Sequence, residues 1–295
     1  MTDTDGPTFH LFLPQMRMTH EAIVERALAA EAAGFEGIAF MDHLAPPLAT
    51  DQGMWEAMEI AAWVLARTAT LRVGHLVLCD AFRHPAVLAR QATSLDHASG
   101  GRFDLGIGWG SVPEELHQFG VGSTEPRARV GRLAETLQVL EALWTGEVVD
   151  FRGDHFTREG ARQRPEPSGA IPITIGGVGP RTLDLVARHA DWWNLPVHQL
   201  DRLEELRERA GDARVSVQAM VAVVADEADR DEVTATVHRR FGTEGLGSRV
   251  VIGPVGELVA HFAGLHERGV DRVYAWFADF APPATLERFG EVISA

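Results

Sequence analysis

The sequence predicts an α/β protein folded as a (β/α)8 barrel. Three observations carry that prediction. Strand-like apolar runs and helix-like amphipathic segments alternate from end to end. Eight strands can be placed, each followed by a helix or a helix-bearing loop, and 295 residues suit one closed barrel. Polar pairs and glycine loops fall where strands end, the side on which parallel α/β proteins bind ligands. A doubly wound sheet is the alternative; eight units favour closure. No linker, repeat or low-complexity stretch divides the chain, so residues 1–295 are read as a single domain.

The elements follow in order. Thr8–Pro14 reads as a strand and His20–Ala33 as a helix closed by Gly34. Gly37–Met41 is a strand and Met54–Arg67 a helix. Val73–Leu78 is an apolar strand that breaks at Cys79-Asp80. Pro85 then opens a helix, where its missing N–H costs nothing, and Ser99-Gly100-Gly101 stops it. Phe103–Ile107 is a strand running into Gly106-Ile-Gly-Trp-Gly110. Arg127–Trp144 is a long helix with Val130, Leu133, Leu137, Leu140 and Leu143 on one face. Glu147–Thr157 reads as a hairpin with Gly153 in its turn, and Arg158–Ala170 as a Pro- and Gly-rich loop. Ile171–Ile175 is a strand and Pro180–His189 a helix; Trp192–Leu195 is a strand and Leu200–Ala210 a helix. Val215–Val224 and Asp229–Arg240 form the next pair. Val250–Ile252 is a short extended piece, Val255–Arg268 a helix and Arg272–Trp276 the last strand. Gly110–Glu125 and residues 146–170 are the expected excursions, both near the ligand face.

Composition removes several function classes. The formal charge of −15 argues against nucleic acid or an anionic membrane, which need clustered cations. No apolar run approaches the roughly 18 residues of a membrane span. The opening MTDTDGPT is acidic and polar, unlike a secretory signal. One cysteine allows no intrachain disulfide and suggests a reducing cytoplasm. Every one of the 27 basic residues is Arg, which excludes lysine chemistry.

The candidate site residues sit at strand ends. Asp42-His43 follow the second strand, and a His there exchanges protons near neutral pH. Cys79-Asp80 end the third strand; nothing nearby suggests an activated thiolate, so Cys79 reads as backbone support for a flat ligand. Trp109 and Gly110 end the fourth strand without satisfying G-x-G-x-x-G. Gly176, Gly177, Gly179 and Pro180 lead from a strand into a helix N-terminus. Free N–H groups and the helix dipole favour phosphate there, with Arg181 and Thr182 in support. Glu114-Glu115 read as an exposed pair at a helix start, Arg127 and Arg129 as a solvated helix face, and Trp192-Trp193 as core packing. Metal ligands are not expected, for the 13 His form no H-x-H or H-E-x-x-H pattern.

GFEGIAFMDH, RHPAVLARQATSLDHASGGRFDLGIGWG and IPITIGGVGPRTLDLVARHADWWN together resemble the bacterial-luciferase-like superfamily of flavin- and deazaflavin-dependent oxidoreductases. The resemblance runs from Phe9 to about Tyr274. It implies a barrel holding coenzyme F420 or FMN at its C-terminal mouth, with Gly176-Gly177 on the cofactor phosphate. It places His43 near the reactive edge of the ring, with Asp42 orienting it or touching the ring. It also implies a non-proline cis peptide after the third strand, expected here at Cys79-Asp80, a small-molecule substrate, and a homodimer. A glucose-6-phosphate dehydrogenase of the deazaflavin branch carries Glu two residues beyond the position of Trp109; this chain has Ser111, so sugar-phosphate chemistry is not implied. The insertion segments are shorter than in luciferases. A flavin-binding barrel without turnover and a metal-dependent barrel hydrolase are the alternative functions.

Overall fold

The computed structural model describes residues 6–47, 49 and 51–295. The acidic first five residues, on which the reading of the N-terminus partly rests, lie outside the described residues.

The first half alternates β1 (Thr8–Phe12), α1 (His20–Ala32), β2 (Gly37–Phe40), α2 (Ala57–Leu65), β3 (Arg72–His75), β4 (Leu78–Cys79), α3 (Pro85–Ser99) and β5 (Leu105–Gly108). An excursion follows: α4 (Pro113–Phe119), α5 (Pro126–Trp144) and the hairpin β6 (Val149–Arg152) with β7 (Thr157–Ala161). The second half runs β8 (Ile173–Gly176), α6 (Pro180–His189), β9 (Trp192–Leu195), α7 (Leu203–Ala210), β10 (Arg214–Val223), α8 (Arg230–Phe241), β11 (Val251–Gly253), α9 (Val255–Glu267), β12 (Arg272–Phe277) and α10 (Pro283–Ile293).

The parallel ladder is β3-β2-β1-β12-β10-β9-β8-β5-β4, with β11 added on β10. β3 and β4 are two pieces of one barrel strand, and a parallel bridge from Val73 to Phe103 brings the two ends of the ladder together. The expected barrel is therefore present. Its helices bury apolar stripes against the strands, and one continuous core runs from Phe9 to Val292.

The third strand differs from its sequence reading. It is interrupted at Leu76-Val77, and the non-proline cis peptide lies there, three residues before the expected Cys79-Asp80. The facing strand explains the position. A Cβ on Gly106 would stand 1.8 Å from the His75 carbonyl oxygen, so only glycine lets β5 approach the chain at this break. Cys79 resumes the strand as β4, and Asp80 opens a short 3-10 turn.

Three further differences have physical causes. α2 begins at Ala57 because the Glu56 carboxylate caps it by accepting from Glu59 N at 2.8 Å. Residues 197–202 coil as 3-10 before α7, so that helix starts later than read. Thr157–Ala161 pairs with Val149–Arg152 and takes the start of the expected loop into the hairpin.

The N-terminal end of the barrel is closed by charge. Arg272 is buried, lies 3.7 Å over the Trp192 ring, and stands 3.5 Å from Glu36 and 3.6 Å from Asp104. His10 Nε2 is 3.2 Å from Glu36. Burial and the neighbouring Arg272 push His10 down to about 4, and burial takes His75, whose Nε2 bonds Ala57 O at 3.1 Å, down to about 4 as well. Both histidines are therefore neutral in the folded chain and take up protons on unfolding below an ordinary histidine pKa of about 6.5. Stability is full above that value and is lost as pH falls towards 4. Thermal melting should drop by several degrees between pH 7.5 and pH 5, and less in His75→Asn; an equal drop in both proteins would contradict the role of His75.

Candidate active site

A cavity of about 480 Å³ opens at the C-terminal ends of the barrel strands. Of the sequence-predicted residues, Asp42, His43, Cys79, Trp109, Gly110, Gly176 and Gly177 line it. Asp80, Gly179 and Pro180 do not. The Asp80 carboxylate points outward to Arg132, and Gly179-Pro180 form the exposed start of α6.

His43 extends from the end of β2. Its Nδ1 lies 2.9 Å from Glu115 Oε2. A carboxylate only accepts, so Nδ1 carries the proton and Nε2 is left as an acceptor in the neutral ring. Glu115 also accepts from Leu44 N at 2.6 Å and Ala45 N at 3.1 Å, which fixes the backbone after His43. The expected orienting residue, Asp42, does something else. It accepts from Cys79 N at 2.8 Å and from Arg83 at 2.6 and 3.0 Å, so it clamps β4 to the end of β2.

Glu115 and Arg129 are the site residues that sequence reasoning missed. Glu115 was expected to be exposed beside Glu114; it is 7% exposed, on α4, with its helix turned so that Leu116 and Glu115 face inward. Arg129 was expected in solvent. It is 5% exposed, donates to Gly110 O at 2.7 Å and stacks 4.6 Å over Trp109, holding both in place. A spacing signal for Arg129 existed: it falls within the apolar face that starts at Val130, and a lone Arg on a buried face implies a partner. No sequence signal pairs Glu115 with His43 across 72 positions.

Gly110 has φ +84°, and a Cβ on it would stand 2.9 Å from Cys79 Sγ. The fourth strand thus passes close along the third and leaves a smooth wall. Burial pushes the Cys79 thiol up to about 12, so it stays protonated. Trp193, buried in the core as expected, donates from Nε1 to Gly177 O at 2.8 Å and so ties the glycine loop to the barrel. A Cβ on Gly176 or Gly179 would make only ordinary contacts at 3.7–3.8 Å, whereas Gly177, at φ +123°, would bring a Cβ to 3.3 Å from Thr182, so Gly177 is the position where the turn into α6 requires glycine. A flat ring with a phosphate-bearing chain fits this arrangement: a glycine-smoothed wall at one side and backbone N–H groups at a helix start on the other. Among the described residues no group of three or more His, Cys, Asp or Glu is placed to hold a metal ion.

The luciferase-like monooxygenase family model matches residues 7–249. An F420-dependent glucose-6-phosphate dehydrogenase of Nakamurella multipartita is 35% identical over 173 residues, 57% of this chain and 50% of that one. This chain thus spans about half the length of that relative. An uncharacterized protein of Mycobacterium tuberculosis is 34% identical over 212 residues, 63% of this chain and 71% of that one. Among solved structures, an F420-dependent secondary alcohol dehydrogenase with an F420-acetone adduct superposes with a TM-score of 0.82 at 18% identity, covering 98% of both chains. At that identity the likeness speaks for the fold.

One reagent checks the wall of the site. Ellman's reagent should leave Cys79 unmodified in the native protein at pH 8 and titrate one thiol after denaturation; rapid native modification would contradict its burial. The chain belongs to the luciferase-like monooxygenase family.

Proposed function

We propose that this protein is an oxidoreductase that binds coenzyme F420 or FMN in the cavity and acts on a small organic substrate. The observation that carries the reading is the position of His43: an imidazole held through Nδ1 by a buried carboxylate, with Nε2 unpartnered among the described residues, in the wall of a cavity smoothed by glycine. F420 is the first choice because relatives about a third identical to this chain over 173 aligned residues include F420-dependent enzymes. FMN is the second, because the family is one of monooxygenases.

The bound cofactor would supply hydride transfer as F420, or oxygen activation as reduced FMN. The chain supplies the rest. Gly179 and the N-terminus of α6, which begins at Pro180, would hold the phosphate through backbone N–H groups, with Gly176 and Gly177 shaping the loop beside it; the Gly177 N–H itself goes to Asn194 O at 3.3 Å. Cys79, Trp109 and Gly110 would flank the ring, with Asp80 and Arg132 supporting the turn behind Cys79. His43 takes or gives a proton at Nε2 while Glu115 stabilises the imidazolium and fixes the ring.

The cytoplasm suits the single, buried and protonated cysteine. No helix among the described residues is long and apolar enough to cross a membrane. A homodimer would cover the aromatic patch formed by Trp55, Trp63 and His20. Trp55 and Trp63 are each 41% exposed, and the His20 ring centroid lies 4.0 Å from that of Trp55.

Titration with F420 and with FMN, followed by fluorescence, tests the proposal: saturable binding of at least one supports it, and binding of neither overturns it. In an assay where the wild-type protein turns over, His43→Ala should lower kcat by about 10²-fold or more while cofactor affinity stays within about threefold. An unchanged kcat would remove His43 from the chemistry. Light scattering should give two chains for the wild type and one for Trp63→Glu; a wild-type monomer would contradict the dimer.

A further inference from the structure

We infer that the substrate carries an anionic group, and that Arg249 reads it. The inference rests on the reading of the cavity as a cofactor and substrate site. It starts from the charged side chains in the cavity wall, which are Asp42, Glu115 and Arg249. Both carboxylates are engaged. Asp42 is clamped by Arg83 and Cys79 N, and Glu115 by His43 and two backbone N–H groups. Arg249 has no ion pair and no side-chain hydrogen bond among the described residues. Arg249 is exposed at the cavity mouth, and among the charged side chains that line the cavity it is the one without a charged or hydrogen-bonding partner among the described residues, which leaves its guanidinium for a ligand.

Its placement is fixed by the fold. Arg249 ends a compact 3-10 turn, Gly247–Arg249, immediately before β11. Leu246 N-terminal to the turn also lines the cavity. A Cβ on Gly247 would stand 1.7 Å from Gly242 O, so the segment closes tightly on itself and holds Arg249 at the rim. Arg249 N donates to Leu246 O at 3.1 Å, which sets the turn. Around the barrel, β10, on which β11 is paired, is separated from β2 and His43 by β1 and β12. It is separated from the β8 glycine loop by β9. The free cation is thus away from both the proton-transfer group and the phosphate loop. Between them β10 presents Gln218, whose amide makes no hydrogen bond among the described residues, and apolar Met220.

The geometry assigns a substrate with two ends. The reacting carbon lies towards His43, an apolar or hydrogen-bonding middle passes Met220 and Gln218, and a carboxylate, phosphate or sulfonate meets Arg249. A guanidinium matches all three anions because each offers two oxygens to its planar fork. The cofactor phosphate is a second source of such an anion, and the experiment separates the two.

Calorimetry would measure hexanoate, hexanesulfonate and glucose 6-phosphate, each against its neutral counterpart, hexan-1-ol or glucose. The proteins are wild type, Arg249→Gln and Arg249→Lys, each with and without F420 or FMN. At least one anion should bind wild type about tenfold more tightly than its counterpart. The preference should fall below about threefold in Arg249→Gln and return in Arg249→Lys, with cofactor affinity unchanged across all three. Equal binding within every pair, or a preference that survives in Arg249→Gln, overturns the inference. So does a loss of F420 or FMN affinity in Arg249→Gln in place of a loss of anion preference, which assigns Arg249 to the cofactor. If none of the three proteins binds F420 or FMN, the proposed function fails, and the anion preference of the protein alone still decides the role of Arg249.

Discussion

Glu115 takes three hydrogen bonds from the segment after β2, and the shape of the site depends on them. The carboxylate is buried, so each unmet lone pair would cost free energy that a surface acid does not pay; His43 Nδ1, Leu44 N and Ala45 N meet them at 2.9, 2.6 and 3.1 Å. One side chain of the α4 excursion therefore fixes the tautomer of His43, its ring orientation and the path of the chain that follows it. The neighbouring Asp42 does the same for the third barrel strand through Cys79 N and Arg83. Two adjacent residues after β2 are thus held from the neighbouring β4 and β5 ends of the cavity mouth, in the wall of a space of about 480 Å³.

A consistent division of labour follows. The N-terminal end of the barrel is sealed by Arg272, Glu36, Asp104 and the Trp192 ring, groups that serve stability. The C-terminal end carries glycine where backbone must approach backbone, and polar side chains whose partners are chosen to leave specific atoms unspent. Nε2 of His43, the Gln218 amide and the Arg249 guanidinium are such atoms. Within the cavity wall Arg83 offsets the charge of Asp42.

Much of the fold was legible because periodicity and punctuation are local. Pro180–His189 and Trp192–Leu195 were read with the bounds they have, since Pro, Gly and the apolar repeat mark them within a few residues. Strand ends were legible for the same reason, and they located seven of the lining residues. What escaped depends on contacts distant in sequence. Glu115 is buried only because His43 lies 72 positions away, and nothing in PEELHQF distinguishes it from exposed Glu114. Arg129 looked solvated until Trp109 and Gly110 supplied its partners. The cis peptide was expected at the polar pair Cys79-Asp80, the visible break in hydropathy, but the break in the strand comes at Leu76-Val77, opposite Gly106. α4 lies inside an expected excursion, where the sequence marks only its start at Glu114-Glu115, and α10 lies beyond the last expected strand.

The central claim is that His43, fixed by Glu115 with Nε2 free, faces a bound flat cofactor. The most direct measurement is 15N NMR of histidine-labelled protein, with the His43 signals identified by their loss in His43→Asn. The account predicts a protonated Nδ1 and a bare Nε2 in the free protein, and a shift of the Nε2 resonance on saturation with F420 or FMN. A protonated Nε2 with bare Nδ1, or His43 signals unmoved by either cofactor, would contradict it.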